Sequence, residues 1–318
     1  MRHHRILFSL TIAALCTTAS PAHANDSTAS IGLGGVVLLK QADIAMEAED
    51  LQIGLDRIDV AYRFRNRSDR DIETTVAFPL PRISLITPYY EDQSWPHQDS
   101  DNLINFLVTV DGVPVPTTEE TRAYLKETDV TGELRALGVV LGRPMDWKLE
   151  IKDAAPLGPR FLAPLENQEP WPTWEEQTTF HWPQRFAAGK PTRIEHRYAP
   201  AAGHQHFSGD GDLAKYCFDR QDETEIRRLA ALDRANPRGE GGNFAQIATV
   251  DYILTTANNW RGPIGDFSLT LTASSPMMMI ASCFPDLERK DGNARVLHRH
   301  DFSPKSDLRV FFLMPNRR

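Results

Sequence analysis

The stretch that decides the fold runs from Arg57 to Phe78 and reads RIDVAYRFRNRSDRDIETTVAF. Apolar and polar residues alternate from Ile58 to Arg65, polar residues 66–71 interrupt the pattern, and the alternation resumes at Ile72. Such alternation is typical of half-buried β-strands, in which successive side chains point to opposite faces of a sheet. The stretch therefore predicts an antiparallel hairpin with one buried face.

A second hairpin is indicated by Asp111-Gly112, which separates the apolar alternations at 106–110 and 113–115. Asp-Gly between such runs is among the strongest short-range turn signals. The 22 prolines and 19 glycines also favour a turn-rich β protein. Similar patterns predict further strands around residues 147–151, 180–182, 194–198, 250–256, 267–272, 277–282, 295–302 and 308–314.

Helices are predicted in two places. Thr117 and Glu120 have the spacing of a capping box, so residues 117–138 predict two short helices inserted between strands. A short amphipathic helix is predicted to start at Asp222, with Ile226 and Leu229 facing inward.

These patterns together predict a mainly β protein with an antiparallel β-sandwich architecture and short helical insertions. The strands fit either one large sandwich, in which N-terminal and C-terminal strands intermix, or two sandwich-like units. In the second arrangement an N-terminal β domain with a helical insertion comprises residues 25–202. A C-terminal β domain then comprises residues 203–318.

Residues 1–24 have the pattern of a signal peptide. A basic start at residues 2–5 precedes an apolar run from Ile6 to Cys16, and Ala22-His23-Ala24 has the small residues that a signal peptidase requires. The apolar run is too short to span a hydrocarbon core of about 30 Å, and the large Leu15 before Cys16 disfavours lipid attachment. We therefore expect a periplasmic or secreted protein without a transmembrane segment after cleavage.

The charge balance restricts the partners. The chain carries 35 basic and 43 acidic side chains, and removal of residues 1–24 leaves 33 basic ones, so the formal net charge changes from −8 to −10. Nucleic acid and anionic lipid are disfavoured, because both require a basic surface. An envelope protein or a glycan is the expected partner, and the oligomeric state is left open.

Cys217 and Cys283 are the cysteines that remain after the predicted cleavage. In an oxidising compartment such a pair is most simply a disulfide. The alternative is a redox-active or metal-binding pair, which the lack of Cys-x-x-Cys spacing disfavours.

Segments distributed along the mature chain share features with one exported family. They are Asn25-Asp26-Ser27-Thr28, residues 60–66, 77–81 and 195–200, Tyr216-Cys217, residues 252–256, Asn259-Trp260, residues 262–267, Cys283, residues 301–304 and Asp307-Leu308-Arg309. Through them the chain resembles the family catalogued as domain of unknown function 4424. The resemblance spans essentially the whole mature chain and implies an exported protein without a particular chemistry.

A fainter similarity is to the domain shared by vault proteins and inter-alpha-trypsin inhibitors. It rests on Phe78-Pro79-Leu80-Pro81 and on Val110-Asp111-Gly112. In such proteins an adhesive domain often binds a metal through Asp-x-Ser-x-Ser, and residues 301–305 depart from that motif at the last position. The similarity therefore implies a β-sandwich and not metal-dependent adhesion.

Residues 166–182 combine aromatic rings with carboxylates. Sugar rings stack on such aromatic platforms, and paired acids catalyse glycoside hydrolysis, so the segment suggests a glycan-binding protein or a glycoside hydrolase. The alternative is that prolines and tryptophans hold an irregular loop against the sandwich. The candidate ligand-binding residues are Trp171, Trp174, Trp182, Glu175 and Glu176.

Two His-x-His pairs, His204 with His206 and His298 with His300, are candidate metal ligands. Residues two apart in a strand point the same way, so either pair can present two imidazoles to copper or zinc. The alternative is that these histidines are partly buried and hydrogen-bonded, because no third ligand is visible at a suitable spacing.

The sequence has no signature of nucleophilic catalysis or of phosphate chemistry. It has no Gly-x-Ser-x-Gly elbow, and the glycines at 239–242 lack the Lys-Ser/Thr of a phosphate loop. We therefore assign no catalytic residue and expect no cofactor. The leading hypothesis is a non-catalytic binding or assembly module of the bacterial cell envelope, with glycan and metal binding as alternatives.

Overall fold

The computed structural model describes residues 27–32, 35–84, 92–94, 102–142, 157–165, 168–208, 213–235 and 245–316. The predicted signal peptide and the strand expected at residues 147–151 lie outside these residues. The strands are β1 (Ser27–Gly32), β2 (Gly35–Leu39), β3 (Ile44–Ile53), β4 (Ile58–Asn66), β5 (Ile72–Pro79), β6 (Ile83–Ser84), β7 (Asp92–Ser94), β8 (Leu107–Val110), β9 (Val113–Val115), β10 (Thr118–Leu125), β11 (Thr128–Asp129), β12 (Leu162–Leu165), β13 (Gln168–Pro172), β14 (Glu175–Phe186), β15 (Pro191–Tyr198), β16 (Ala202–Phe207), β17 (Ala245–Tyr252), β18 (Ile264–Leu271), β19 (Met279–Ala281), β20 (Glu288–Arg289), β21 (Arg295–Phe302) and β22 (Leu308–Pro315).

The α-helices are short insertions between these strands, as predicted. They are α1 (Thr131–Ala136), α2 (Gly158–Phe161) and α3 (Arg220–Arg234), with single 3₁₀ turns at Leu213–Tyr216, Thr255–Asn259 and Asp291–Asn293. No helix in the described part of the chain is long and apolar enough to cross a membrane.

The strands form three larger sheets and one small one. A seven-stranded sheet has the order β11-β10-β14-β5-β1-β2 with β6 beside β14, and an eight-stranded sheet has the order β20-β21-β18-β3-β4-β15-β8-β9. A five-stranded sheet has the order β19-β22-β17-β16-β7, and β12 pairs with β13. Neighbouring strands are antiparallel except β3 and β18, which are parallel. The predicted fold class, mainly antiparallel β with a sandwich-like arrangement, is confirmed.

The deciding stretch forms two strands, but they do not pair with each other. The side chains of Ile58, Val60, Tyr62 and Phe64 are buried, as the alternation predicts. However, β4 pairs with β3 and β15, whereas β5 pairs with β1 and β14. The hairpin prediction is therefore wrong, because the turn at residues 67–71 carries the chain from one sheet to the other. Alternation specifies which face is buried and leaves the partner strand undetermined.

The second hairpin is confirmed. Val110 pairs with Val113, so Asp111 and Gly112 form a two-residue turn. Their φ angles are 50° and 81°, as a type I′ turn requires at both central residues.

The predicted pair of helices after Thr117 is half wrong. Residues 118–125 form β10, which pairs with β14 from Thr118 to Tyr124, and only α1 is helical. Pairing with β14 along its length stabilises residues 118–124 as a strand. A capping box alone does not outweigh that pairing, because an isolated short helix is only marginally stable.

The predicted helix near Asp222 is α3, which begins at Arg220. Asp219 is its N-cap, and the Asp219 carboxylate accepts a hydrogen bond from the Asp222 backbone N–H at 2.9 Å. Ile226 is fully buried. The preceding segment is fixed by the disulfide between Cys217 and Cys283, whose Cα atoms are 5.1 Å apart.

Strands from both sides of residue 203 share the eight-stranded sheet, because β18 lies between β3 and β21. The largest hydrophobic core likewise combines residues such as Leu51 and Phe64 with Phe267 and Leu269. N-terminal and C-terminal strands are thus intermixed in this sheet. The division into folding units at residue 203 stays a prediction.

Candidate functional site

Trp174 and Glu176 lie in a small core beside α1 and α2. The Trp174 side chain is fully buried, and its ring centroid lies 6.3 Å from that of Phe161. Its indole Nε1 donates a hydrogen bond to Glu176 Oε1 at 3.2 Å, and Glu176 Oε2 accepts another from the Gly142 backbone N–H at 2.8 Å. These contacts connect β14 to the loop at Gly142 and to the small core, so both side chains serve the packing of the protein interior.

Trp182 lies in the large core, where its ring meets that of His196 edge-on at 5.4 Å. Trp174 and Trp182 thus belong to different cores and do not share a surface. The side chain of Trp171 lies outside the described residues. Glycan stacking on the segment at 166–182 therefore stays a prediction that depends on Trp171.

Glu175, the remaining residue of that set, lines a cleft of about 530 Å³ between the sheets. The cleft has the size of sites that hold small molecules. Residues 80–84 and Glu175 contribute from the seven-stranded sheet, Tyr198 from the end of β15, Lys215 and Tyr216 from a 3₁₀ turn, and Gln205, Asp251, Arg309 and Phe311 from the five-stranded sheet.

Two of the basic residues in the cleft are engaged by carboxylates. Arg309 contacts both carboxylate oxygens of Asp251, at 2.6 and 2.8 Å. Arg82 lies 3.3 Å from the Glu127 carboxylate and 3.9 Å from that of Glu175, and its guanidinium stacks over the Tyr124 ring at 4.1 Å. Each of these two arginines is thus paired with carboxylates of the protein.

Lys215 is the third basic residue. Its ammonium lies 4.6 Å from the centre of the Tyr216 ring, and within the described ranges it has no ion pair with a carboxylate. The Tyr216 hydroxyl accepts a hydrogen bond from Gln205 Nε2 at 3.0 Å, which holds the ring in place. With three basic and two acidic residues, the cleft has a formal excess of one positive charge in a chain of net charge −8.

Tyr198 adds a phenol to the lining. Burial raises the pKa of Tyr198 above its usual range, so the phenol is neutral at any pH at which the protein is folded. A protonated phenol can both donate and accept a hydrogen bond, which suits recognition of a polar ligand.

A separate cluster lies on the outer face of the eight-stranded sheet. His298 Nε2 is 2.6 Å from Asp266 Oδ1, and His300 Nδ1 is 3.4 Å from the same oxygen. All three side chains are exposed. The other predicted pair, His204 and His206, lies on β16 in the five-stranded sheet, so the two His-x-His pairs do not converge.

Asp266 is the residue that sequence reasoning missed. It lies on β18, directly opposite His300 on β21. Its nearness to the histidines depends on strand register, which spacing along the chain does not reveal.

Comparison with known proteins places the chain in a family context. The model of a domain of unknown function, DUF4424, matches residues 24–311, and no curated protein matches. A candidate nutrient-binding protein from Legionella pneumophila has 14% identity and a TM-score of 0.47, with 92% of this chain and 72% of the other covered.

Two enzymes show weaker likeness. An M1 zinc metallopeptidase from Deinococcus radiodurans has 11% identity and a TM-score of 0.27, with 86% of this chain and 43% of the other covered. Native yeast LTA4 hydrolase has 9% identity and a TM-score of 0.31, with coverages of 86% and 29%. The chain thus spans less than half the length of either enzyme, and likeness at this level assigns no activity.

Proposed function

The chain belongs to the DUF4424 family, whose description assigns no activity, and from the geometry of the cleft we propose that the protein is an exported, non-catalytic binding module of the bacterial cell envelope. Its ligand is a small molecule that carries a carboxylate. The observation that carries this proposal is Lys215, a cation without a carboxylate partner among the described residues, in a cleft of about 530 Å³.

Charge complementarity favours this class of ligand. Arg309 pairs with Asp251, and Arg82 lies near Glu127 and Glu175, so Lys215 is the cleft cation without a carboxylate partner among the described residues. A ligand carboxylate near Lys215 would balance the charge of that ammonium through a charge-assisted hydrogen bond. An acidic sugar and an amino acid share this chemistry.

The polar groups of the cleft suit binding better than catalysis. Its described lining contains neither histidine nor cysteine, the residues that most often act as a base or as an activated nucleophile. Its carboxylates are engaged by arginines, which favours a role in charge balance.

Thermal denaturation with a ligand panel tests the proposal. The panel contains amino acids, dicarboxylates and acidic sugars, each compared with its neutral amide or ester. A ligand at 100 times its dissociation constant stabilises the folded state by about 2.7 kcal/mol, so the melting temperature should rise with the carboxylates and not with the neutral forms. A larger rise in melting temperature with acidic sugars than with amino acids, or the reverse, shows which of these two classes of carboxylate the cleft binds.

Lys215→Gln should abolish the rise in melting temperature. Lys290→Gln is the matched control, because Lys290 pairs with Glu288 on the surface and does not line the cleft. An equal rise in Lys215→Gln, or with the neutral ligands, would contradict the proposal. Mass spectrometry of the ligand after incubation should show it unchanged, and a reaction product would contradict the non-catalytic role.

Export is supported by the sequence of residues 1–24 and by the disulfide, which persists in oxidising compartments. N-terminal sequencing of the protein from the periplasm or medium should start at Asn25. Recovery of the uncleaved chain from the cytoplasm alone would contradict it. An envelope-protein or glycan partner stays a prediction, which affinity capture from envelope extracts tests.

A further inference from the structure

We propose that Asp266, His298 and His300 form a binding site for a divalent metal ion of the zinc class. The site lies on the exposed face of the eight-stranded sheet and contains no residue of the cleft, so it does not depend on the proposed function.

The backbone brings the three side chains together. His298 and His300 are two residues apart on β21 and therefore project from the same face. Asp266 is the antiparallel partner of His300 on the adjacent strand β18. Directly opposed residues have Cβ atoms about 5 Å apart, so the two strands hold the three ligands within reach of one ion.

The ligand atoms have suitable separations. The Asp266 carboxylate and the two ring nitrogens all lie within 4.8 Å of one another. Zinc–nitrogen and zinc–oxygen bonds of about 2.0–2.1 Å place tetrahedral ligand atoms about 3.3 Å apart. The 3.4 Å between His300 Nδ1 and Asp266 Oδ1 matches this value.

His298 makes a direct hydrogen bond to Asp266 at 2.6 Å, so these two atoms must separate by about 0.7 Å to accept a tetrahedral ion. Both side chains are about half exposed, which leaves them free to change rotamer. The rings of His298 and His300 already meet at 82°, with centroids 4.7 Å apart. The adjustment is therefore local and leaves the strands in place.

The surroundings favour a cation. Within the part of the chain that the structure describes, Asp266 has contacts to the two histidines and no arginine or lysine partner. Asp50 lies further along the same face and accepts a hydrogen bond from Ser268, the residue opposite His298, at 3.0 Å. The Asp266 carboxylate therefore lies next to the two imidazoles, where a cation can contact all three side chains.

Two imidazoles and one carboxylate are ligands that suit zinc and its neighbours in the first transition row. With three protein ligands, a tetrahedral ion keeps one position for water or another molecule. Because the three side chains are exposed, a bound ion can exchange with the surrounding medium.

Equilibrium dialysis against Zn²⁺, followed by metal analysis, tests the site on the purified chain without a polyhistidine tag. We expect one zinc ion per chain at micromolar free zinc. His298→Ala, His300→Ala and Asp266→Asn should each weaken binding at least tenfold. His206→Ala is the matched control, because it removes an exposed histidine of the other His-x-His pair on a different sheet.

Zinc should also raise the melting temperature of the wild-type chain and of Lys215→Gln, and not that of His298→Ala. Circular dichroism should show that each variant is folded without zinc, because the substituted side chains are exposed. The inference is overturned if the wild-type chain retains no zinc or if His298→Ala binds as tightly as wild type. It is equally overturned if only His206→Ala loses the ion.

Discussion

Arg295 and Asp222 form an ion pair in the protein interior. Arg295 Nη2 lies 2.6 Å from Asp222 Oδ2, and the two side chains are only 7% and 5% exposed. Asp222 also contacts Arg289 at 2.6 Å, and the N-cap Asp219 accepts a hydrogen bond from Arg295 at 3.2 Å. Burial lowers the pKa of Arg295, and the carboxylates oppose that effect. The first turn of α3 is thereby tied to strands β20 and β21.

Asp222→Ala should lower the free energy of unfolding by about 1–3 kcal/mol, because the buried Arg295 guanidinium loses its buried carboxylate partner and keeps the longer contact to the more exposed Asp219. Urea denaturation followed by circular dichroism measures the change. The control is Glu225→Gln in the same helix, whose ion pair with Arg228 is exposed and should contribute little. A similar effect of both variants would contradict the special role of the buried pair.

His196 lies among aromatic rings in the core, 2% exposed. Its ring is within 5.0–5.4 Å of those of Tyr62, Phe78, Phe106 and Trp182. Burial lowers the pKa of His196 from 6.5 to about 3. The folded protein thus keeps this imidazole neutral at pH values where the unfolded chain protonates it.

The free energy of unfolding should therefore fall as the pH drops below 6.5 towards 3. For this residue the loss between pH 7.5 and pH 5 is about 2 kcal/mol. Urea denaturation at the two pH values should show a smaller loss in His196→Leu, which cannot titrate. The same pH dependence in both proteins would contradict the assignment.

The sequence pattern is sufficient to predict strand pairing where the partner strand is close along the chain. Asp111-Gly112 and its flanking valines specify a hairpin within ten residues. By contrast, Thr121 of β10 meets Thr178 of β14, 57 residues away. The buried residues of β10, Thr121 and Ala123, are small and weakly apolar, so no alternation distinguishes this strand from a helix.

Candidate sites are likewise predictable only where their residues are close along the chain. The His-x-His spacing of His298 and His300 is visible in the sequence. Asp266, however, lies 32 residues before His298 and is brought close to it by strand pairing. Trp174 and Trp182 are equally compatible with a platform or a core until the packing is known. Lys215 and Arg82 line one cleft only because three sheets converge there.

Gly265 is required by the close approach of β18 and β3. A Cβ atom at this position would lie 2.7 Å from the backbone oxygen of Glu47. Gly265→Ala should therefore lower the free energy of unfolding by about 1–3 kcal/mol. Gly132→Ala in α1 is the control, because its Cβ would meet no atom within 4 Å, and it should be neutral or slightly stabilising. Urea denaturation of both variants compares them, and equal stability would contradict the close approach.

The parallel pairing of β3 with β18 also predicts how the two parts of the chain fold. Residues 25–202 and 203–318, expressed separately, should each lack cooperative unfolding. The first would expose the edge of β3, and the second would lose the partner of β18, whose Phe267 and Leu269 are buried in the shared core. Mixed fragments should regain the circular dichroism and urea transition of the whole chain, because the missing strand pairs and core contacts form again. Cooperative unfolding of each fragment alone would instead support two units divided at residue 203, with β3 and β18 joined only after both have folded.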